Sequence, residues 1–157
     1  MKKLGILFAA LFLAIQVGSA QSDVEEIDFI QSIMGAEKKE VMSQFVNLQG
    51  PAADAFWKLY DEYEVKRKSL GKERIALIKQ YAAEYDGITA EQTDVLMSKA
   101  IKLRNSNNKL LDSYYKKMKK AAGSKAAAQF HQLESYIQAA IRTELFNNIP
   151  LIGELDN

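Results

Sequence analysis

The chain has 157 residues, and its 21 lysine and arginine side chains nearly balance its 20 aspartate and glutamate side chains, giving a formal net charge of +1. This balance gives no global bias toward nucleic acid or a membrane surface. The absence of cysteine excludes a disulfide scaffold, a thiol nucleophile and a thiolate metal site, and the low content of proline and glycine is typical of a helical protein.

The first twenty residues have the order of a secretory signal peptide. Lys2 and Lys3 precede an apolar run from Leu4 to Val17, and small residues follow up to Ala20. The run is short for a membrane-spanning helix, so we expect cleavage after Ala20 rather than anchoring. The expected mature protein lies outside the cytoplasm and has no integral membrane segment.

Residues 21–149 are predicted to form one all-α domain of four helices, and residues 150–157 a C-terminal tail. Apolar residues recur every three or four positions in each segment, and a capping residue or proline stands at each expected start. A break in the first helix is expected near the interior Gly35. The predicted helices run from Asp23 to Leu48, from Pro51 to Tyr85, from Thr89 to the stop at Gly123, and from Ser124, as the cap, to Asn148.

The second and third predicted helices are long and meet at the tight turn Asp86–Gly87, so we expect an antiparallel hairpin. Reflection about this turn places Gly71 opposite Lys102. Polar and basic residues interrupt both apolar stripes near that level. The middle of the hairpin is therefore expected to be thinly packed and able to bend, with the true cores at its two ends.

The third helix opens with the sequence Ile88-Thr89-Ala90-Glu91-Gln92, in which Thr89 and Gln92 have capping-box spacing. This segment resembles the L-T-x-x-Q motif of the Spy/CpxP family of bacterial periplasmic helical proteins, with Ile88 in place of the leading leucine. The segment Leu48–Ala52 is similar to a degraded first copy, in which Pro51 takes over helix initiation. The aromatic stretch Ala55–Tyr63 also resembles small exported relatives of that family.

The resemblance implies an all-helical protein of about four helices that dimerises as a thin curved cradle. Family members act without ATP as chaperones for unfolded proteins, as inhibitors of envelope-stress sensor kinases, or as metal-responsive sensors. The metal-responsive branch relies on histidine, methionine or cysteine ligands. This chain has only His131 and scattered methionines, so neither a metal nor another cofactor is expected.

A basic and aromatic set of side chains on the second and third helices is the candidate partner-binding surface. Basic groups attract acidic or unfolded segments, and neighbouring aromatic rings add apolar and cation–π contacts. Two other interpretations stay open: an ordinary solvated helix face, and a patch covered by the acidic segment from Asp23 to Glu40. The candidate residues are Trp57, Tyr60, Lys66, Arg67, Lys68, Lys72, Arg74, Lys102, Arg104, Lys109 and Tyr115.

No catalytic constellation accompanies this surface, because no nucleophile, glycine-rich loop or oxyanion donor is found near the acidic residues. We therefore expect a non-enzymatic, chaperone-like periplasmic protein that binds unfolded or envelope proteins as a homodimer and does not bind nucleic acid. The alternatives are a regulatory subunit for one sensor or envelope protein, a metal-responsive sensor of the same family, and a trimeric coiled-coil chaperone of the Skp type.

Overall fold

The computed structural model describes residues 35–153, and within this range it contains four helices and no strand. The four-helix, all-α prediction is confirmed at this level. The predicted start of the first helix, its Ser22 cap and the signal peptide lie outside the described residues. The helices are α1 over 35–45, α2 over Gly50–Glu84, α3 over Ala90–Ala122 and α4 over Ser124–Asn148.

Local sequence signals account for most of these helix ends. Thr89 caps α3 through the predicted capping box: its side chain accepts from the Gln92 amide, and the Gln92 side chain accepts from the Thr89 amide. Gly87 and Gly123 adopt positive φ angles at the connections that follow α2 and α3. Ser124 was expected to cap α4, but Gly123 is the capping residue and makes no side-chain bond, so that prediction is wrong.

Helix α3 packs between α2 and α4 and lies antiparallel to both. Tyr63 of α2 meets Tyr114 of α3 with ring centroids 5.6 Å apart, and Tyr63 also meets Phe130 of α4 at 5.0 Å. Helix α1 runs antiparallel to α2, since Gly35 lies beside Lys68 and Lys39 pairs with Asp61. Large aromatic rings therefore fill the space between α2, α3 and α4.

The main core lies at the end of the hairpin away from the α2–α3 connection, although Leu96 is buried near that connection. All the fully buried residues of α2 fall between Phe56 and Glu64, at the end away from the α2–α3 connection. At the connection end, Tyr81 and Tyr85 are half-buried, and their hydroxyls donate to the carbonyls of Pro150 and Leu151. The expectation of a core at each end is therefore met fully at one end only, since few of the described side chains are buried at the other. The C-terminal tail, for which no structure was predicted, contacts the end of the hairpin near the α2–α3 connection.

Both helices are unbroken in the middle of the hairpin, where Gly71 lies on α2 and Asn107 lies on α3. The residues of α2 and α3 that lie opposite each other differ from those expected by reflection about the Asp86–Gly87 turn. Lys99 donates to Gln80, which together with the Tyr63–Tyr114 contact places Gly71 opposite residues 106–108 rather than Lys102. Asn107 is buried there, and its side-chain amide donates to the Leu103 carbonyl of its own helix.

Across residues 35–153, none of the helices combines the length and apolar character needed to cross a membrane.

Candidate functional site

Nine lysine and arginine side chains are exposed along α3 and the first turn of α4, and we call this set the basic strip. Asp112 is the one acidic residue within residues 99–125, and it contacts His131, with His131 Nε2 3.2 Å from Asp112 Oδ1. Glu73 of α2 lies near the end of the strip, where it lines a groove with Lys99 and Lys102. No member of the strip forms an ion pair with another of the described residues. The strip is therefore an uncompensated positive surface. Its members are Lys99, Lys102, Arg104, Lys109, Lys116, Lys117, Lys119, Lys120 and Lys125.

A groove of about 330 Å³ between α2 and α3 adjoins one end of the basic strip. Leu77 and Leu103 give it apolar surface, and Lys99 and Lys102 bring positive charge to its edge. This combination suits an extended or helical segment that carries both apolar and acidic side chains. The lining residues are Glu73, Ala76, Leu77, Gln80, Lys99, Lys102, Leu103 and Ser106.

Of the basic residues predicted on α2, Lys66 lies next to the strip, since its ammonium and that of Lys117 are both close to the Tyr114 ring. The Lys66 ammonium faces α3, 5.5 Å from the centroid of the Tyr114 ring. Lys68 lies beside Gly35 of α1, and Arg67 is held by Glu64 within α2. Lys72 is exposed and Arg74 is half-buried. The structure therefore groups Lys66 with the strip that holds the predicted residues Lys102, Arg104 and Lys109. It places Arg67 and Lys68 elsewhere, beside Glu64 and Gly35.

The predicted aromatic residues are mostly part of the packing. Tyr60 was expected away from the core, but it is fully buried and stacks edge-on against Phe130, so that placement is wrong. Trp57 is half-buried, with the Lys39 ammonium 5.6 Å from its ring centroid. Tyr115 is also half-buried and packs edge-on against the His131 ring. Trp57 and Tyr115 therefore keep accessible surface, whereas Tyr60 has none.

A buried ionic cluster joins α1, α2 and α4. Lys38 Nζ lies 2.6 Å from Glu64 Oε1 and 2.8 Å from Glu134 Oε1, and it donates to Glu134 Oε2 at 3.0 Å. The contact with Glu134 Oε1 is an ion pair without hydrogen-bond alignment. The Tyr63 hydroxyl also donates to Glu134, and Arg67 Nε donates to both oxygens of Glu64. Two cations and two carboxylates thus compensate each other inside the protein.

Burial changes the ionisation of groups around this cluster. Desolvation and the neighbouring Glu134 carboxylate raise the pKa of Tyr63 well above its ordinary range. Desolvation, together with the charge of Glu64, raises the pKa of Tyr60 in the same direction. Desolvation also lowers the pKa of Arg74, and the positive charges of Arg67 and Arg142 add to that shift.

The acidic cluster members are inaccessible to a substrate, since Glu134 is 0% exposed and Glu64 is 8% exposed. Among residues 35–153, no group of three or more histidine, cysteine, aspartate and glutamate side chains is arranged to hold a metal ion. The surface features available for binding are thus the basic strip, the adjoining groove and the half-buried rings of Trp57 and Tyr115.

Comparison of the chain with protein-family models, with curated proteins and with solved structures gives no match.

The buried ionic cluster was missed in the sequence, although a signal for it exists. Glu134 is four residues after Phe130 and three before Ile137, so it occupies a core position of the α4 apolar stripe. Lys38 likewise precedes the buried Met42 by one turn, in the gap of the first stripe. Charged residues at core positions of two different helices indicate a buried pair.

Proposed function

We propose that this protein is a non-enzymatic, exported helical protein of Spy/CpxP-like type that binds non-native or envelope proteins without ATP. The observation that carries the proposal is the basic strip, nine exposed cations without an ion-pair partner among the described residues. Positive surface of this kind accelerates encounter with acidic or unfolded segments. The proposed export rests on the signal-peptide order of residues 1–20, and the family membership and the dimeric cradle rest on the sequence resemblance.

The binding mechanism combines charge with a small apolar contact. Acidic residues of a client are attracted to the strip, and its apolar residues contact the groove beside Leu77 and Leu103. Trp57 and Tyr115 offer further aromatic surface at the other end of the hairpin. Because most of this contact is exposed and electrostatic, binding is weak, reversible and sensitive to salt.

The test is light scattering of a chemically denatured acidic client, diluted with and without residues 21–157 at low and high salt. We expect suppression of aggregation that weakens at high salt. Lys109→Glu should reduce suppression at low salt, whereas Lys58→Glu, an exposed α2 position with the same charge change, should not.

Each alternative result has a distinct meaning. Suppression that is unaffected by salt and by Lys109→Glu would contradict the role of the basic strip. It would indicate that the client binds at Trp57 and Tyr115 instead. No suppression at several-fold excess would contradict general chaperone activity. A single partner recovered by cross-linking would then favour a regulatory subunit for one sensor or envelope protein.

A further inference from the structure

The face of α2 that meets α4 carries more positive charge than the buried ionic cluster neutralises. Within that cluster, Lys38 and Arg67 balance Glu64 and Glu134. Arg74 follows Arg67 by seven residues, two helical turns further along the same face. Arg142 of α4 lies near enough for its charge to act on Arg74. Neither Arg74 nor Arg142 pairs with a carboxylate among residues 35–153.

Two buried nitrogen atoms, one on α2 and one on α4, have no hydrogen-bond partner in the described part of the chain. One is Arg67 Nη2, whose guanidinium already uses Nε for Glu64. The other is the side-chain nitrogen of Gln138, one helical turn beyond Glu134 on α4. A buried donor without an acceptor is costly, and two such donors on facing helices indicate an acceptor between them.

We propose that Arg67, Gln138, Arg74 and Arg142 form an oxyanion-binding site between α2 and α4, one that takes a carboxylate or phosphate group. All four side chains can donate hydrogen bonds, and three carry a permanent positive charge. The planar guanidinium group matches the two oxygens of a carboxylate or phosphate. None of these four side chains lines the groove beside the basic strip, so each can be substituted without changing the proposed client surface.

Two sources of this oxyanion chemistry are available. One is a free anion, for which inorganic phosphate is the probe. The other is the chain's own acidic residues Asp23, Glu25, Glu26 and Asp28, which lie outside the described residues. Helix α1 runs antiparallel to α2, and Gly35 lies beside Lys68, so the chain that precedes Gly35 starts about two turns from Arg74.

The experiment measures the melting temperature of residues 21–157 in inorganic phosphate and in sodium chloride of equal ionic strength. Five variants are compared with the wild type. Three are Arg74→Gln, Arg142→Gln and the control Arg104→Gln in the exposed basic strip. The fourth is a variant in which Asp23, Glu25, Glu26 and Asp28 become amides, and the fifth is this amide variant with Arg74→Gln added. Arg142 is exposed, so its variant keeps the test valid even if Arg74→Gln lowers stability.

If a free anion fills the site, phosphate raises the melting temperature of the wild type by several degrees, as binding to the folded state requires. The Arg104→Gln and amide variants then keep this response, whereas Arg74→Gln and Arg142→Gln lose it. If the chain's own carboxylates fill it, the wild type does not respond. The amide variant then melts at a lower temperature and gains a phosphate response that Arg74→Gln abolishes.

Two results would overturn the proposal. One is the absence of a phosphate response in both the wild type and the amide variant. The other is a response that Arg74→Gln and Arg142→Gln retain as fully as Arg104→Gln does, since phosphate would then act elsewhere on the protein.

Discussion

Lys38 Nζ lies 2.6 Å from Glu64 Oε1, and the two side chains are 3% and 10% exposed although 26 residues separate them in the chain. This contact holds α1 against α2 inside the protein, where water cannot replace either partner. Glu134 extends the contact to α4, so one ammonium group joins three helices. The orientation of α1 therefore depends on a buried charge and not only on its apolar residues.

Lys38→Met should destabilise the protein by about 3–5 kcal/mol, because it leaves Glu64 and Glu134 buried without their shared cation. Urea unfolding followed by circular dichroism measures the change. The matched control is Lys39→Met: its exposed pair with Asp61 should contribute about 0–1 kcal/mol. Equal losses in the two variants would contradict the structural role of the buried cluster.

The stability of the protein should fall as pH rises above about 10, the ordinary pKa of tyrosine. Burial raises the pKa of Tyr60 and of Tyr63, so both keep their protons when folded and release them when unfolded. Both tyrosines therefore make their full contribution to the free energy of unfolding below pH 10. Above that pH, the contribution of each falls by about 1.4 kcal/mol per pH unit.

Urea unfolding at several pH values between 8 and 11 measures this slope. Tyr63→Phe should reduce it, whereas Tyr136→Phe, at a position that is 57% exposed, should leave it unchanged. Absorbance at the tyrosinate band gives a second measurement. A folded protein in which every tyrosine ionises near pH 10 would contradict this prediction.

Thr89→Ala should lower stability by about 0.5–2 kcal/mol, because it removes the side-chain acceptor for the Gln92 amide at the start of α3. Thermal unfolding is the measurement. Ser98→Ala, at an exposed position within α3, should be nearly neutral. If the two variants had the same melting temperature, the capping box would not stabilise the fold.

Gly123→Ala should cost about 1–3 kcal/mol, because φ of 90° and ψ of 164° lie in a region that is open almost exclusively to glycine. Ser124→Ala is the control in the same connection, since the Ser124 side chain makes no capping bond. Chemical unfolding of both variants separates the backbone effect from a side-chain effect. A neutral Gly123→Ala would show that the α3–α4 connection tolerates another geometry.

The boundaries of α2, α3 and α4 could be predicted because their signals are local. A proline near the first turn, a capping box at Thr89 and a glycine at positive φ act within a few residues of each helix end. The burial of Tyr60 could not be predicted from the α2 stripe alone. It depends on Phe130, which is distant in sequence and lies on a helix whose angle the stripe does not specify.

The sequence by itself determined the helical class, the lengths of the helices and the concentration of positive charge along α3, because periodicity, capping and composition act along one chain segment. Only the tertiary structure decided which end of the hairpin holds the main core and on which sides of α2 its basic residues lie. It also decided that Lys38, Glu64 and Glu134 meet. These outcomes depend on the register and rotation of helices against one another, which are set by packing between residues far apart in the chain.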